Sequence, residues 1–167
     1  MIVADSGPII VFARIGRLDL LRQVVGELII PDAVYEELVG SGTERPGAAE
    51  VAHGDWIHRR TVQDLTTVAQ LPRALHAGER EAIVLAQELG AQLLIDEHRG
   101  RTIAITRGVE VFGNLRVLAE AKRLGLIERA KPVVDAMRAA GYWVDENLLP
   151  QFFREVGEDR PYDARVQ

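Results

Sequence analysis

The chain predicts an α/β domain built on a parallel sheet. Short apolar runs alternate with stretches of helical period along most of its length. Two of those runs, residues 2–5 and 92–96, end on a carboxylate that a helix-opening stretch follows. With 167 residues and 47% apolar content, the chain has the material for the core of one such domain.

The elements follow in order. Residues 2–5 read as a buried strand, with Ser6 as N-cap and Gly7 and Pro8 in the first turn of a helix. A second helix runs over 18–25 and stops before Gly26. Residues 28–30 form a strand that Pro31 ends, and Asp32 opens a helix carrying Val34, Leu38 and Val39. Residues 40–46 have loop composition. Residues 56–62 mix apolar and basic side chains, as an edge strand does, and 63–76 pattern as loop with some helix. A helix over 77–89 ends at Gly90, and the second acid-tipped strand follows. Residues 99–107 read as helix, 109–111 as strand, and 114–124 as an amphipathic helix closed by Gly125. Helices over 131–140 and 147–156, with no strand between them, form a C-terminal extension beyond a core of residues 1–130. The charged residues 159–167 read as a frayed tail.

Composition excludes several classes. The chain has no cysteine, which removes disulfides, thiolate metal sites and cysteine nucleophiles and fits a cytoplasmic protein. A formal net charge of −5 does not describe a general nucleic-acid binder, although a local basic face is compatible with it. No basic region with a cleavage site opens the chain, and no apolar run is long enough to span a bilayer. Ser41 and Thr43 have no base near them in sequence, so a serine hydrolase has no support. No glycine-rich phosphate loop is present. The four histidines are scattered without metal-pair spacing.

The acids carry the functional argument. In an open parallel sheet the strand carboxyl ends form one rim, where ligand chemistry collects. Asp5 and Asp96 both end strands. On the helix after Pro31 the core stripe runs through Val34 and Leu38, so Glu37 lies on its flank and Glu36 opposite. On the helix after Gly78 the core face is Ala82, Ala86 and Leu89, with Glu79 beside it and Glu81 further round. Asp5, Glu37, Glu79 and Asp96 are therefore the proposed constellation. Four carboxylates drawn together repel and rise in pKa unless a hard cation such as Mg²⁺ or Mn²⁺ compensates them. Such an ion can activate water and stabilise phosphate charge. Taken singly, each acid has an ordinary reading as a helix cap or a surface group; the joint pattern raises the metal hypothesis.

The same segments resemble PIN-domain nucleases. Residues 3–10, reading VADSGPII, resemble the first motif of that family; Pro31, Val34, Glu37 and Leu38 resemble the second. Gly78, Glu79, Glu81, Ala82 and Ile83 resemble the third, and Leu94, Ile95, Asp96, Glu97, Gly100 and Arg101 the fourth. Residues 113–127 resemble one prokaryotic branch of it. The resemblance implies a three-layer sandwich, a central parallel sheet with helices on both faces. It implies a metal-dependent ribonuclease, often the VapC-like toxin of a toxin–antitoxin pair. By motif it makes Asp5, Glu37, Glu79 and Asp96 the metal-binding acids. It further implies a homodimer and a small antitoxin partner. Two positions depart from the branch: Asn114 stands where a small hydroxyl residue is usual, and Glu97 where an aspartate is common.

Around the four acids, Ser6, Glu81, Glu97, Arg101 and Asn114 are candidates for holding a metal water or a phosphate. Arg101 could equally pair with Glu97 or another acid. Alternatives to the endoribonuclease are a module of the same fold that binds RNA or a protein without turnover, and a phosphatase with Asp5 as nucleophile. The phosphatase usually needs a second acid two residues on, where Gly7 stands.

Overall fold

The computed structural model describes residues 1–40 and 45–159. The loop bearing Ser41 and Thr43, and all of the expected tail beyond Asp159, lie outside the described residues. The strands are β1 (Ile2–Ala4), β2 (Leu28–Pro31), β3 (Ile57–Arg60), β4 (Gln92–Leu94) and β5 (Val111–Phe112). They form one parallel sheet in the order β3-β2-β1-β4-β5. The helices of the first half are α1 (Ser6–Arg14), α2 (Leu18–Val25), α3 (Asp32–Tyr35), α4 (Ala48–His53) and α5 (Leu65–Gln70). Those of the second are α6 (Ala77–Leu89), α7 (His98–Thr106), α8 (Asn114–Arg123), α9 (Lys131–Ala139) and α10 (Leu149–Glu155).

Side chains alternate across the pleat and divide the core in two. Ala4, Leu28, Ile30 and Leu94 join one apolar cluster with residues of α1, α2, α8, α9 and α10. Val3, Ile29, Leu93 and Ile95 join the other, with residues of α6 and α7. The fold is thus an α/β sandwich with helices on both faces of the sheet. The C-terminal helices belong to the first layer: Val133, Val134, Met137, Leu149 and Phe152 are buried in it. Each such side chain contributes about 1.5–3 kcal/mol by leaving water. Glu158 then ties down the segment after α10, accepting from Lys122 Nζ at 2.8 Å, Ala130 N at 2.6 Å and Lys131 N at 2.9 Å.

The strand order has a functional consequence. From β1 the chain adds β2 and β3 on one side, then crosses back to place β4 and β5 on the other. The carboxyl ends of β1 and β4 flank this reversal, where a crevice opens in such sheets. Asp5 follows β1 directly, and its backbone N–H donates to Leu94 O at 3.1 Å. Asp96 stands two residues beyond β4.

Several elements differ from the sequence pattern. Ser6 is not the N-cap of α1. Asp5 is, in extended conformation, with its Oδ2 accepting from Gly7 N at 3.5 Å, while Ser6 is already helical and buried. The helix after Pro31 is α-helical for only four residues and then continues as a π-helical turn, Glu36–Gly40. Residues 48–53, which show no helical period of their own, form α4, pinned by the buried Val51. The last strand is Val111–Phe112, because Leu93 N pairs with Glu110 O and Ile95 N with Phe112 O.

Candidate active site

Three of the proposed acids gather on the β1 side of the crevice. Asp5 is 7% exposed. Burial pushes its carboxyl up to about 6; backbone N–H groups of Ser6 and Gly7 oppose the rise, while the charges of Glu79 and Glu37 add to it. Gly78, in the first turn of α6, marks where these groups meet. A Cβ there would lie 3.4 Å from Asp5 Oδ1, 3.3 Å from Glu37 Oε2 and 3.1 Å from Val34 Cγ2. Only a residue without a side chain leaves that cradle open.

The three acids come from different elements. The π-helical turn presents Glu37, which also pairs with Arg45 at 3.6 Å. A single widened turn of this type is frequent at functional sites. Glu79 is the third residue of α6 and 5% exposed; its Oε2 accepts from His76 N at 2.7 Å, closing the start of the helix. Burial raises its pKa against that hydrogen bond, and Glu97 and Glu37 raise it further. Glu79 therefore caps a helix and contributes charge to the cradle at once.

Asp96 sits in different surroundings. Its two oxygens accept from Asn114 N at 3.2 and 3.1 Å, at the N-terminus of α8. The Tyr142 hydroxyl donates to its Oδ1 at 3.1 Å. Burial raises the Asp96 pKa, while the Asn114 N–H, the Tyr142 hydroxyl and the Arg101 charge hold it back. Arg101 is aimed by its own bond to Ile95 O at 2.8 Å. Asp96 and Arg101 both press on Gly113, where a Cβ would lie 3.1 Å from Arg101 Nη1 and collide with the Asp96 carboxylate.

The remaining candidates divide. Glu81 serves the scaffold: its Oε2 accepts from Ala33 N at 2.9 Å and so fixes α3, which leads into the turn bearing Glu37. Glu97 is the N-cap of α7, accepting from Gly100 N at 2.6 Å. Arg101 stands by Asp96 rather than in an ion pair with Glu97. Asn114 holds Asp96 through its backbone, not its side chain. Its Oδ1 is buried without a hydrogen-bond partner among the described residues. Sequence reasoning missed Tyr142. Its position between two helices carries no signal that its hydroxyl turns back to a carboxylate 46 residues earlier.

Among the described residues no three acidic or histidine side chains form a ready-made metal cage. Mg²⁺ does not require one, since it binds through one or two carboxylates and keeps waters or phosphate oxygens in its other positions. An all-oxygen donor set, an open cradle at Gly78 and a carboxylate raised by burial, with its acidic neighbours adding to the rise, fit such an ion.

Fold and crevice together define a doubly wound α/β protein with an acidic cleft at the switch point of its sheet. The chain belongs to the PIN-domain family: the model of its DUF3368 branch, a PIN domain, matches residues 1–158, across both the sheet and the C-terminal helices. The PIN domain is a nuclease-type fold, and its nucleases act on nucleic acid. Neither curated proteins nor solved structures gave a match to the chain. Among the described residues no helix is long and apolar enough to cross a membrane.

Proposed function

We propose that the protein is a Mg²⁺- or Mn²⁺-dependent endoribonuclease that hydrolyses RNA phosphodiester bonds at the β1/β4 crevice. The observation that carries this reading is the meeting of Asp5, Glu37 and Glu79 around Gly78, with Asp96 beyond the adjacent strand. Asp5, Glu37, Glu79 and Asp96 are the residues that would hold the ion. Bound there, the ion supplies the positive charge that lets a phosphodiester approach the carboxylates and activates water for attack.

The chain's own groups do the rest. Asp5, whose carboxyl burial pushes up to about 6, would give its charge to a cation in the cradle. Asn114 N and the Tyr142 hydroxyl fix the orientation of the Asp96 carboxylate. Arg101, beside Asp96, offers a guanidinium fork to a phosphate oxygen. The role as a toxin with an antitoxin partner and the homodimer rest on the family resemblance, and the cytoplasmic location on the absence of cysteine.

Binding without turnover is the second reading. It is favoured by one observation: Asp96 and Glu79 already spend oxygens on internal hydrogen bonds. One assay separates the two. Structured RNA is incubated with the purified protein in Mg²⁺ or Mn²⁺, then in chelator, beside Asp5→Ala and Asp96→Ala. Metal-dependent cleavage that both variants lose supports the nuclease. Retention of RNA without cleavage supports the module. Cleavage that survives in both variants comes from a contaminant and counts against the nuclease.

A further inference from the structure

Beside Asp96 a groove of about 580 Å³ runs between Gly113 and the segment after α9, within the size range of built ligand sites. Arg101, Arg116 and Trp143 line it, and Asp96 opens into it. Trp143 is 77% exposed, although a tryptophan normally buries most of its surface. A slack loop does not explain this. Tyr142, just before it, is bonded to Asp96, and Val144, just after it, is buried in the core. The indole is thus held out toward solvent between two anchored neighbours. Arg116 is exposed and forms no salt bridge among the described residues; Glu120, whose charge it feels, is paired with Arg123.

We propose that this groove binds one nucleotide of single-stranded RNA beside the bond to be cut, its base stacked on Trp143 and its phosphates paired with Arg101 and Arg116. The inference deepens the nuclease reading and rests on it. An indole face accepts any base, and guanidinium forks take phosphate oxygens in pairs. A base inside a duplex is stacked on its neighbours and cannot cover the indole, so the groove selects unpaired strands.

Tryptophan emission tests this without turnover. The chain has two tryptophans, and Trp56 is 2% exposed, so quenching by iodide reports Trp143. The full chain is titrated in chelator with a short oligouridylate, and with an abasic oligomer of equal length. The oligouridylate should shield Trp143 from iodide, and the abasic chain should not. Trp143→Ala should weaken oligouridylate binding about ten-fold, the size of one base–aromatic stack, and Trp143→Tyr should restore it. Metal-dependent cleavage should fall in kcat/KM by a similar factor in Trp143→Ala.

Unchanged affinity in Trp143→Ala, or equal binding of the abasic chain, overturns the proposal. So does iodide shielding that grows with protein concentration alone, which assigns the face to a second copy of the chain. Cleavage without shielding of Trp143 sinks this inference and leaves the nuclease standing. Shielding without cleavage under any metal sinks the nuclease and leaves the groove as an RNA site.

Discussion

Asp5 and Asp96 stand beyond adjacent strands of one sheet, yet their surroundings differ. The Asp5 side gathers like charges: burial lifts the Asp5 pKa to about 6, and the charges of Glu79 and Glu37 add to the rise. The Asp96 side gathers donors, namely a backbone N–H from α8, a tyrosine hydroxyl and a nearby arginine. Burial raises both carboxyls, but only Asp96 receives compensation from a cationic side chain. A buried carboxylate with acidic neighbours and no cationic side chain of its own, as Asp5 is, is poised for a cation. A carboxylate already satisfied by donors is poised to be held still. The two halves therefore divide the labour expected of a metal-assisted site, one recruiting charge and the other fixing geometry.

The largest expected effect breaks the recruiting half. Asp5→Asn preserves a good N-cap for α1 while removing the charge. Metal-dependent RNA cleavage should fall by about 10²–10³-fold, the range for loss of one electrostatic stabiliser. In thermal melts, the stabilisation that Mg²⁺ or Mn²⁺ gives the native protein should vanish in the variant.

The pH dependence of the ion-free protein comes next. A carboxyl raised in the folded state contributes stability below its unfolded pKa and loses it as pH rises through the folded value. In chelator, Asp5 should therefore cost stability between about pH 4 and pH 7, up to about 3 kcal/mol for a shift from 3.8 to about 6. Denaturant melts of the native protein and Asp5→Asn should converge as pH falls to 4 and separate toward pH 7, with the variant more stable. A constant difference would show that Asp5 is not compressed.

Tyr142→Phe sharpens the other half. Losing one outer hydrogen bond on Asp96 should lower kcat about ten-fold, the smaller end for groups that orient a metal-site residue. The metal-induced shift in melting should change little, since the Asp5 cradle is intact. An equal loss of both would mean that the two halves act as one.

Gly78→Ala has the mildest expected outcome. Its Cβ would crowd Asp5 Oδ1 and Glu37 Oε2 within 3.4 Å and weaken ion binding. Alanine in a helical turn gains up to about 1 kcal/mol over glycine, and the 3.1 Å approach to the buried Val34 Cγ2 offsets that gain, so the net change in stability should be small. Calorimetric titration with Mn²⁺, paired with denaturant melts, separates the two effects.

The periodicity of side chains made much of this legible in advance. The alternation of buried runs and amphipathic stretches foretold the parallel sheet, and the family resemblance its two helical layers. Helical phase singled out Glu37 over Glu36 and Glu79 over Glu81; Glu37 Oε2 and Asp5 Oδ1 both approach Gly78, and the charges of Glu79 and Glu37 add to the rise of the Asp5 pKa. The phase argument assumed an α-helix at Glu37, whereas the turn there is π-helical. Neighbouring side chains one turn apart remain roughly on one face in either geometry, so the change of turn leaves Glu37 beside Val34 and Leu38. The N-cap was misassigned to Ser6 because aspartate and serine both cap helices, and which of two adjacent residues does so depends on backbone angles.

By itself the sequence determined local matters: the elements, the faces of the helices, the acids at strand ends and the glycines that leave room beside them. These follow from the regular repeat of strands and helices and from the chemistry of single side chains. Only the tertiary structure decided the strand order that sets β1 beside β4, the donors assembled around Asp96, and the return of Tyr142 from the C-terminal segment. Contacts between residues far apart along the chain leave no periodic trace, because packing of whole layers, not local propensity, brings them together.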